Sequence, residues 1–182
     1  MTDPTTTELL ERMRALEKRV LDLEDEREIR ELISQYGYVA DVGSIDDFVG
    51  LFTPDGALDL AMGASYGEYA VTRRWEGSHE LRLYLEDPEG LWDKTWWGNV
   101  MHAQGNNMKV TIDGDTAQAS GYAVSVMARD GLKLIGASVN LWQLRRTDDG
   151  WRVAERKLRP IGDAEFAPMV LGEGRTAATD RA

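Results

Sequence analysis

Cysteine is absent from this 182-residue chain, so disulfides, thiolate nucleophiles and zinc–thiolate centres are excluded. Histidine is scarce: His79 and His102 are the only two, which leaves few ways to build an imidazole base. Clusters of positive charge are missing as well. There are 21 basic residues against 32 acidic ones, for a net charge of −11. The largest basic group, Arg145-Arg146, is followed at once by Asp148-Asp149. Phosphate backbones are bound by clustered Lys and Arg, so no nucleic-acid partner is expected. No apolar run approaches the roughly 18 residues that span a bilayer. The segment Met1-Thr2-Asp3-Pro4-Thr5 lacks the basic-then-apolar pattern of a leader. A soluble cytoplasmic protein with no membrane partner is the expectation. Nor is there a phosphate-cradling glycine loop, a nucleophile elbow or a zinc-binding His-Glu-x-x-His. Asp113-Gly114-Asp115 lacks the further acidic positions of a calcium loop and reads as a turn. No metal and no cofactor is expected.

What is present divides into helices first and strands after. Residues 7 to 42 carry a helical pattern in two phases. Leu9, Met13, Leu16, Val20 and Leu23 form a heptad stripe, which fails at Arg27. A second stripe restarts at Ile29, Leu32, Ile33, Tyr36 and Ala40. The first stripe suits an arm that contacts another subunit, the second the first helix of a globular domain. Gly43-Ser44 ends this helix, and Ser44 is placed to cap a short one over 45–52. Thr53-Pro54-Asp55-Gly56 is a turn signal. Short strands are expected at 57–62 and 68–75, with a helix over 79–85 capped by Ser78. Long strands over 99–112, 116–128, 132–146 and 151–159 are separated by turns at Asp113-Gly114-Asp115, Arg129-Asp130-Gly131 and Thr147-Asp148-Asp149-Gly150. This is an α+β layout, a long curved sheet packed on helices and enclosing a volume on its concave side. The expected division is an arm at 1–25, a pocket-bearing domain at 26–160 and a loosely packed tail at 161–182.

Asp41 closes the second helical stripe and His102 opens a strand pattern whose period-2 partners are Gln104, Asn106 and Met108. A carboxylate that orients an imidazole makes a general base needing no metal. An Asp at a helix C-terminus is disfavoured by the helix dipole, so another group should hold it, and His102 is a fitting one.

Ordered stretches add a resemblance. Glu28-Ile29-Arg30-Glu31-Leu32-Ile33 leads through Tyr36 to Asp41. Phe52-Thr53-Pro54-Asp55-Gly56 follows, then His102 with Asn106, Ile112-Asp113-Gly114-Asp115-Thr116-Ala117, and Asp149-Gly150-Trp151-Arg152-Val153 before Arg156. Over about residues 26–160 the chain resembles the SnoaL-like branch of the nuclear-transport-factor-2-like superfamily. That resemblance implies a cone-shaped fold, a strongly curved antiparallel sheet wrapped on helices with an apolar pocket inside, here with an extended N-terminal helix. It implies polyketide cyclase, dehydratase, dehydrochlorinase or ketosteroid isomerase chemistry through an Asp–His pair. Some dehydratases of that type carry a Tyr five residues before the Asp, the spacing of Tyr36 and Asp41. The segment 63–97 is longer than the family core needs, and it carries Arg73-Arg74 and the Trp96-Trp97 pair.

The candidate catalytic residues are therefore His102 as base, Asp41 as its orienting partner and Tyr36 as donor to a developing oxyanion or leaving group. Tyr36 lies five residues, about 140°, from Asp41 on the helix, so Tyr38 competes for the role. Candidate substrate-binding residues are Asn106, Trp97, Tyr38, Tyr84, Arg74 and Asn140. Trp92 and Trp96 are further aromatics of the pocket mouth, and Arg156 reads as either a ligand contact or the structural partner of a carboxylate. The expected function is a cofactor-independent lyase (dehydratase, cyclase or retro-aldol type) acting on a hydrophobic aromatic or polycyclic small molecule. An isomerase of the ketosteroid type, or a non-catalytic ligand-binding or accessory subunit of an aromatic-degrading enzyme, is the alternative. A homodimer or homotrimer is expected.

Overall fold

The computed structural model describes residues 5–63, 66–67, 70–86 and 97–171. Helix α1 (Thr6–Val42) starts at a capping box: the Glu8 side chain accepts from the Thr5 N–H at 2.6 Å, and the Thr5 hydroxyl accepts from the Glu8 N–H at 3.3 Å. It ends where Gly43 adopts φ 70°, the left-handed cap that glycine takes without strain. The helix is continuous. The phase break at Arg27 marks a change in what the helix faces: the first stripe is exposed, while Ile29, Ile33, Tyr36 and Ala40 are buried against the sheet.

Short helix α2 (Ile45–Gly50) precedes strand β1 (Phe52–Met62); then come β2 (Val71–Glu76), helix α3 (Gly77–Glu86), β3 (Val100–Asp113), β4 (Thr116–Met127), β5 (Lys133–Thr147), β6 (Gly150–Pro160) and helix α4 (Phe166–Leu171). The single sheet has the order β2-β1-β6-β5-β4-β3. All pairings are antiparallel except β1 with β6, which is parallel. The sheet is curved and unclosed, with register shifts at Phe52/Ala57, Ala103/Asn106, Asn106/Lys109, Ser125/Val126 and Gln143/Leu144. Bulges bend and twist a strand locally, and here they recur along the sheet.

Four local expectations are corrected. Thr53-Pro54-Asp55-Gly56 is not a free-standing turn; it falls inside β1, where the register with β6 shifts and the extra residues are absorbed. Ser44 makes no capping bond to the backbone and hydrogen-bonds Asp47 instead. Helix α3 starts at Gly77, before the anticipated Ser78 cap. The region after residue 161 is not wholly loose: α4 lies over the convex face, and Glu165 beside it reaches Arg159 at 3.2 Å and Lys157 at 3.6 Å.

One row of the sheet fixes the interior. Trp75, Leu58, Arg156, Trp142, Ala119 and Val110 sit opposite one another across β2, β1, β6, β5, β4 and β3. Side chains alternate faces along a strand, so this row shares the concave side. It meets α1 through Tyr36, whose ring centroid lies 5.1 Å from those of Phe48 and Trp142. Among the described residues, no helix is long and apolar enough to cross a membrane.

The first turn of the buried part of α1 is pinned to the β5–β6 hairpin by polar groups. Arg146 and the Trp151 indole N–H (3.2 Å) donate to the two oxygens of Asp25, and Glu28 accepts from the Trp151 backbone N–H at 2.8 Å. The Arg146 guanidinium stacks 4.5 Å over the Trp151 ring. Its hydrogen bond holds the Asp25 carboxyl below the usual carboxylate range, against a smaller opposing effect of burial. A lowered folded-state pKa contributes stability above the unfolded carboxylate pKa, and that contribution is lost as pH falls through the folded value. Asp25→Ala is therefore expected to cost about 1 kcal/mol at neutral pH, the site being partly screened by solvent. In urea titrations the gap to the parent protein should close on acidification; a gap independent of pH would contradict this account.

Candidate active site

The last turn of α1 runs against the start of β3. Gly37 makes the approach possible: a Cβ there would lie 2.7 Å from the His102 carbonyl oxygen, a separation real side chains do not tolerate. One helical turn on, Asp41 points to the same strand. Its Oδ2 accepts from the His102 backbone N–H at 2.9 Å, and its Oδ1 bonds the His102 ring at Nδ1. The Asp41 carbonyl accepts from the Gly98 N–H at 2.8 Å, so 98–102 is tied to the end of the helix at both ends. Two donors to the carboxylate offset the unfavourable helix terminus. The two side chains are 13% and 14% exposed, mostly but not wholly withdrawn from solvent. The ring of Trp97 lies over Gly43 beside this pair, in space a Cβ at Gly43 would occupy.

Deeper on the concave face lies a second polar group. Arg156 is 3% exposed. Its Nε donates to Asn140 Oδ1 at 2.9 Å, and its Nη1 donates to the Tyr36 hydroxyl. Its guanidinium stacks 4.4 Å from the Tyr36 ring centroid and 5.1 Å from that of Trp142. Among the described residues no carboxylate forms an ion pair with it, so the structural-partner reading of Arg156 is corrected: its partners are a phenol, an amide and two aromatic faces. Asn140 Nδ2 donates to Gln104 Oε1 at 3.4 Å. Gln104 Nε2 is buried without a hydrogen-bond partner among the described residues. Burial raises the Tyr36 phenol above its ordinary pKa against the opposing pull of Arg156, and the charge of Asp41 adds to the rise. Tyr36 is thus neutral at physiological pH, and its phenol also hydrogen-bonds the Tyr84 side chain. Tyr66, with its ring against Gly136 and its hydroxyl donating to the Ala137 carbonyl at 3.1 Å, covers the neighbouring part of the sheet.

The structure brings together Asp41, His102 and Trp97, and behind them Tyr36, Asn140 and Arg156. Tyr84 is buried in the core, not at a mouth; its ring packs 4.8 Å from Trp75 and 5.8 Å from Phe48. Two expected contacts are corrected. Tyr38 is 72% exposed, because two residues, about 200°, carry it to the face opposite Tyr36; it lines an outer groove with Leu23, Arg27, Arg30 and Ser34. Arg74 sits opposite Asp59 on the convex face and pairs with Glu155 and Glu76; strand alternation gives the inner face to Arg73 and Trp75. The Asn106 side chain, Trp92 and Trp96 lie outside the described residues. Two members of the site had no role in the sequence reading. Gln104 was placed on the period-2 face of His102 without one; Tyr66 lies in a loop with no sequence signal. Among the described residues no three His, Asp or Glu side chains converge as a metal site.

The signature of the SnoaL-like domain matches residues 21–157. The chain belongs to this family, part of the nuclear-transport-factor-2-like superfamily, whose enzymes include cyclases, dehydratases and isomerases. Among solved structures it is similar to a nuclear-transport-factor-2-like protein with a cystatin-like fold from Novosphingobium aromaticivorans, at 27% identity and TM-score 0.70, covering 93% of this chain and 99% of that one. A protein of that organism provisionally named aromatic ring hydroxylase shares 23% identity and TM-score 0.60, over 76% and 90% of the two chains. Another, provisionally named scytalone dehydratase, shares 17% identity and TM-score 0.58, over 76% and 85%. No curated protein matches the chain.

Two measurements address the geometry. Gly37→Ala should force β3 off the helix and lower stability by about 1–3 kcal/mol in denaturant melts; an unchanged midpoint would mean the close approach is not needed. With two imidazoles in the chain, nitrogen NMR can be assigned unambiguously. His102 is expected to hold its proton on Nδ1 in the parent and to lose that preference in Asp41→Asn, while His79 stays the same.

Proposed function

We propose that the protein is an acid–base lyase that works without metal or organic cofactor on a hydrophobic, aromatic or polycyclic small molecule carrying a carbonyl or phenolic oxygen. The observation that carries this reading is the two-bond clamp between Asp41 and His102. Commitment of Nδ1 to the carboxylate assigns proton transfer to Nε2 and leaves the imidazolium, once formed, stabilised by a neighbouring negative charge. Nε2 takes a proton from an acidic carbon beside the carbonyl, and the electron pair moves to the oxygen as an enolate. Donors of the interior cluster meet that charge. The unmatched Gln104 amide is one; the Tyr36 phenol, polarised by the bond it accepts from Arg156, is the other. Return of the proton to a leaving hydroxyl completes a dehydration. Return to a different carbon would be isomerisation, and collapse onto an internal electrophile would be cyclisation. All three share the first step.

Trp97, beside the dyad, offers a flat apolar surface for the ring system of the substrate. The net charge of −11 disfavours polyanionic substrates on approach, which agrees with a neutral hydrophobic one.

The test is a spectroscopic screen of aromatic and polycyclic hydroxyketones, followed by variants on any substrate found. His102→Gln is expected to lower kcat by about 10²–10⁴ with the fold intact by circular dichroism. Asp41→Asn should also lower kcat, and Arg156→Lys should fall mainly in kcat with less change in KM. Full turnover in His102→Gln would remove the proposed base.

A further inference from the structure

We infer that the exposed half of α1 pairs with the same segment of a second copy of this chain as a parallel, two-stranded coiled coil. Leu9, Leu16 and Leu23 occupy d positions of a heptad and Met13 and Val20 occupy a, and these five side chains are 46% to 65% exposed. An apolar seam of this length on a helix held rigid from its capped N-terminus into the domain has no partner within its own chain among the described residues. Leu at every d, with β-branched Val20 at one of the two a positions, favours two strands.

The flanking charges select the occupant and its direction. In this register Arg12 and Arg19 fall at g, and Glu17 and Glu24 at e. In a parallel pair, g of one helix faces e of the next heptad in the other, so Arg12 meets Glu17 and Arg19 meets Glu24, twice each by symmetry. An antiparallel pair would set arginine against arginine and glutamate against glutamate. Among the described residues none of these four makes an ion pair within its own chain. Lys18 pairs with Asp22 at 2.9 Å on the side away from the seam. Where the seam ends, the next a and d positions are Arg27 and Arg30, and these are satisfied internally: Arg27 by Glu31 at 3.3 Å, Arg30 by Glu26 at 2.7 Å and by the Met108 carbonyl at 3.2 Å. The coil therefore covers Leu9 to Leu23, about 21 Å, and stops where α1 begins to face the sheet. This pairing stands apart from the chemistry at His102.

The full-length chain, which has no native cysteine, tests polarity directly. Leu9→Cys alone and Leu23→Cys alone should each form a disulfide-linked dimer under mild oxidation. A mixture of the two should give no disulfide between Leu9→Cys of one chain and Leu23→Cys of the other, since a parallel pair holds those positions about 21 Å apart. Glu17→Arg with Glu24→Arg should weaken self-association measured by sedimentation roughly tenfold or more, and adding Arg12→Glu with Arg19→Glu should restore it. Circular dichroism should stay native throughout, since these positions are exposed. A monomer at all concentrations, cross-linking only between Leu9→Cys and Leu23→Cys, or an assembly indifferent to the charge reversals would each overturn the inference.

Discussion

The approach of β3 to the last turn of α1 is the contact on which the rest of the site depends. Packing a strand directly on a helix backbone requires a residue without a side chain, and Gly37 supplies it where the His102 carbonyl passes. Asp41, one turn later, then reaches both the backbone and the ring of His102. A carboxylate holding two adjacent groups of one residue fixes position and orientation together. Trp97 and Gly98 close the same end of the helix. The helix terminus, a poor location for negative charge, becomes acceptable because the strand brings donors to it.

A long curved sheet gives this contact its interior. Register shifts between Ala103 and Asn106 and again between Asn106 and Lys109 bend β3 where it leaves the helix, so that the strand contributes His102 near solvent and Gln104 further in. The row from Trp75 to Val110 places Arg156 in an otherwise apolar line. There it spends its donors on Tyr36 and Asn140 and its flat faces on two aromatic rings. A buried cation with neutral partners is less compensated than one with a carboxylate, so it leaves positive potential on the concave side. Membership of the SnoaL-like family accords with this arrangement of a bent sheet around helices.

Much of the architecture was legible in the sequence because its signals are local. Asp-Gly and related pairs mark the hairpins after β3, β4 and β5, and the alternation of each strand follows from its neighbours. Asp41 and His102 were legible for a different reason: so few imidazoles exist, and so unfavourable is a carboxylate at that helix end, that each predicts the other. Errors arose where facing had to be assigned. Tyr38 and Tyr36 differ by two residues and half a helical turn, Arg74 and Arg73 by one residue and the whole thickness of a sheet. The stripe through Ile33 and Ala40 already favours Tyr36 for the inner face, whereas the choice between Arg73 and Arg74 needs the register of β2 on β1. Arg156 was legible as a residue but not as a role, since its partners come from α1 and β5, which only the sheet register brings beside it. Thr53-Pro54-Asp55-Gly56 carries the composition of a turn, yet β6 pairs on both sides of it and draws it into the strand.

The parallel pairing of β1 with β6 has a consequence for biogenesis. Residues 52–62 await residues 150–160 as their neighbour. During translation the early hairpin edge therefore stays open until residues 150–160 have left the ribosome, about a hundred residues after it is made. Closure over such a sequence distance is entropically slow. The nascent polypeptide thus passes through a stage in which its aromatic interior is uncovered.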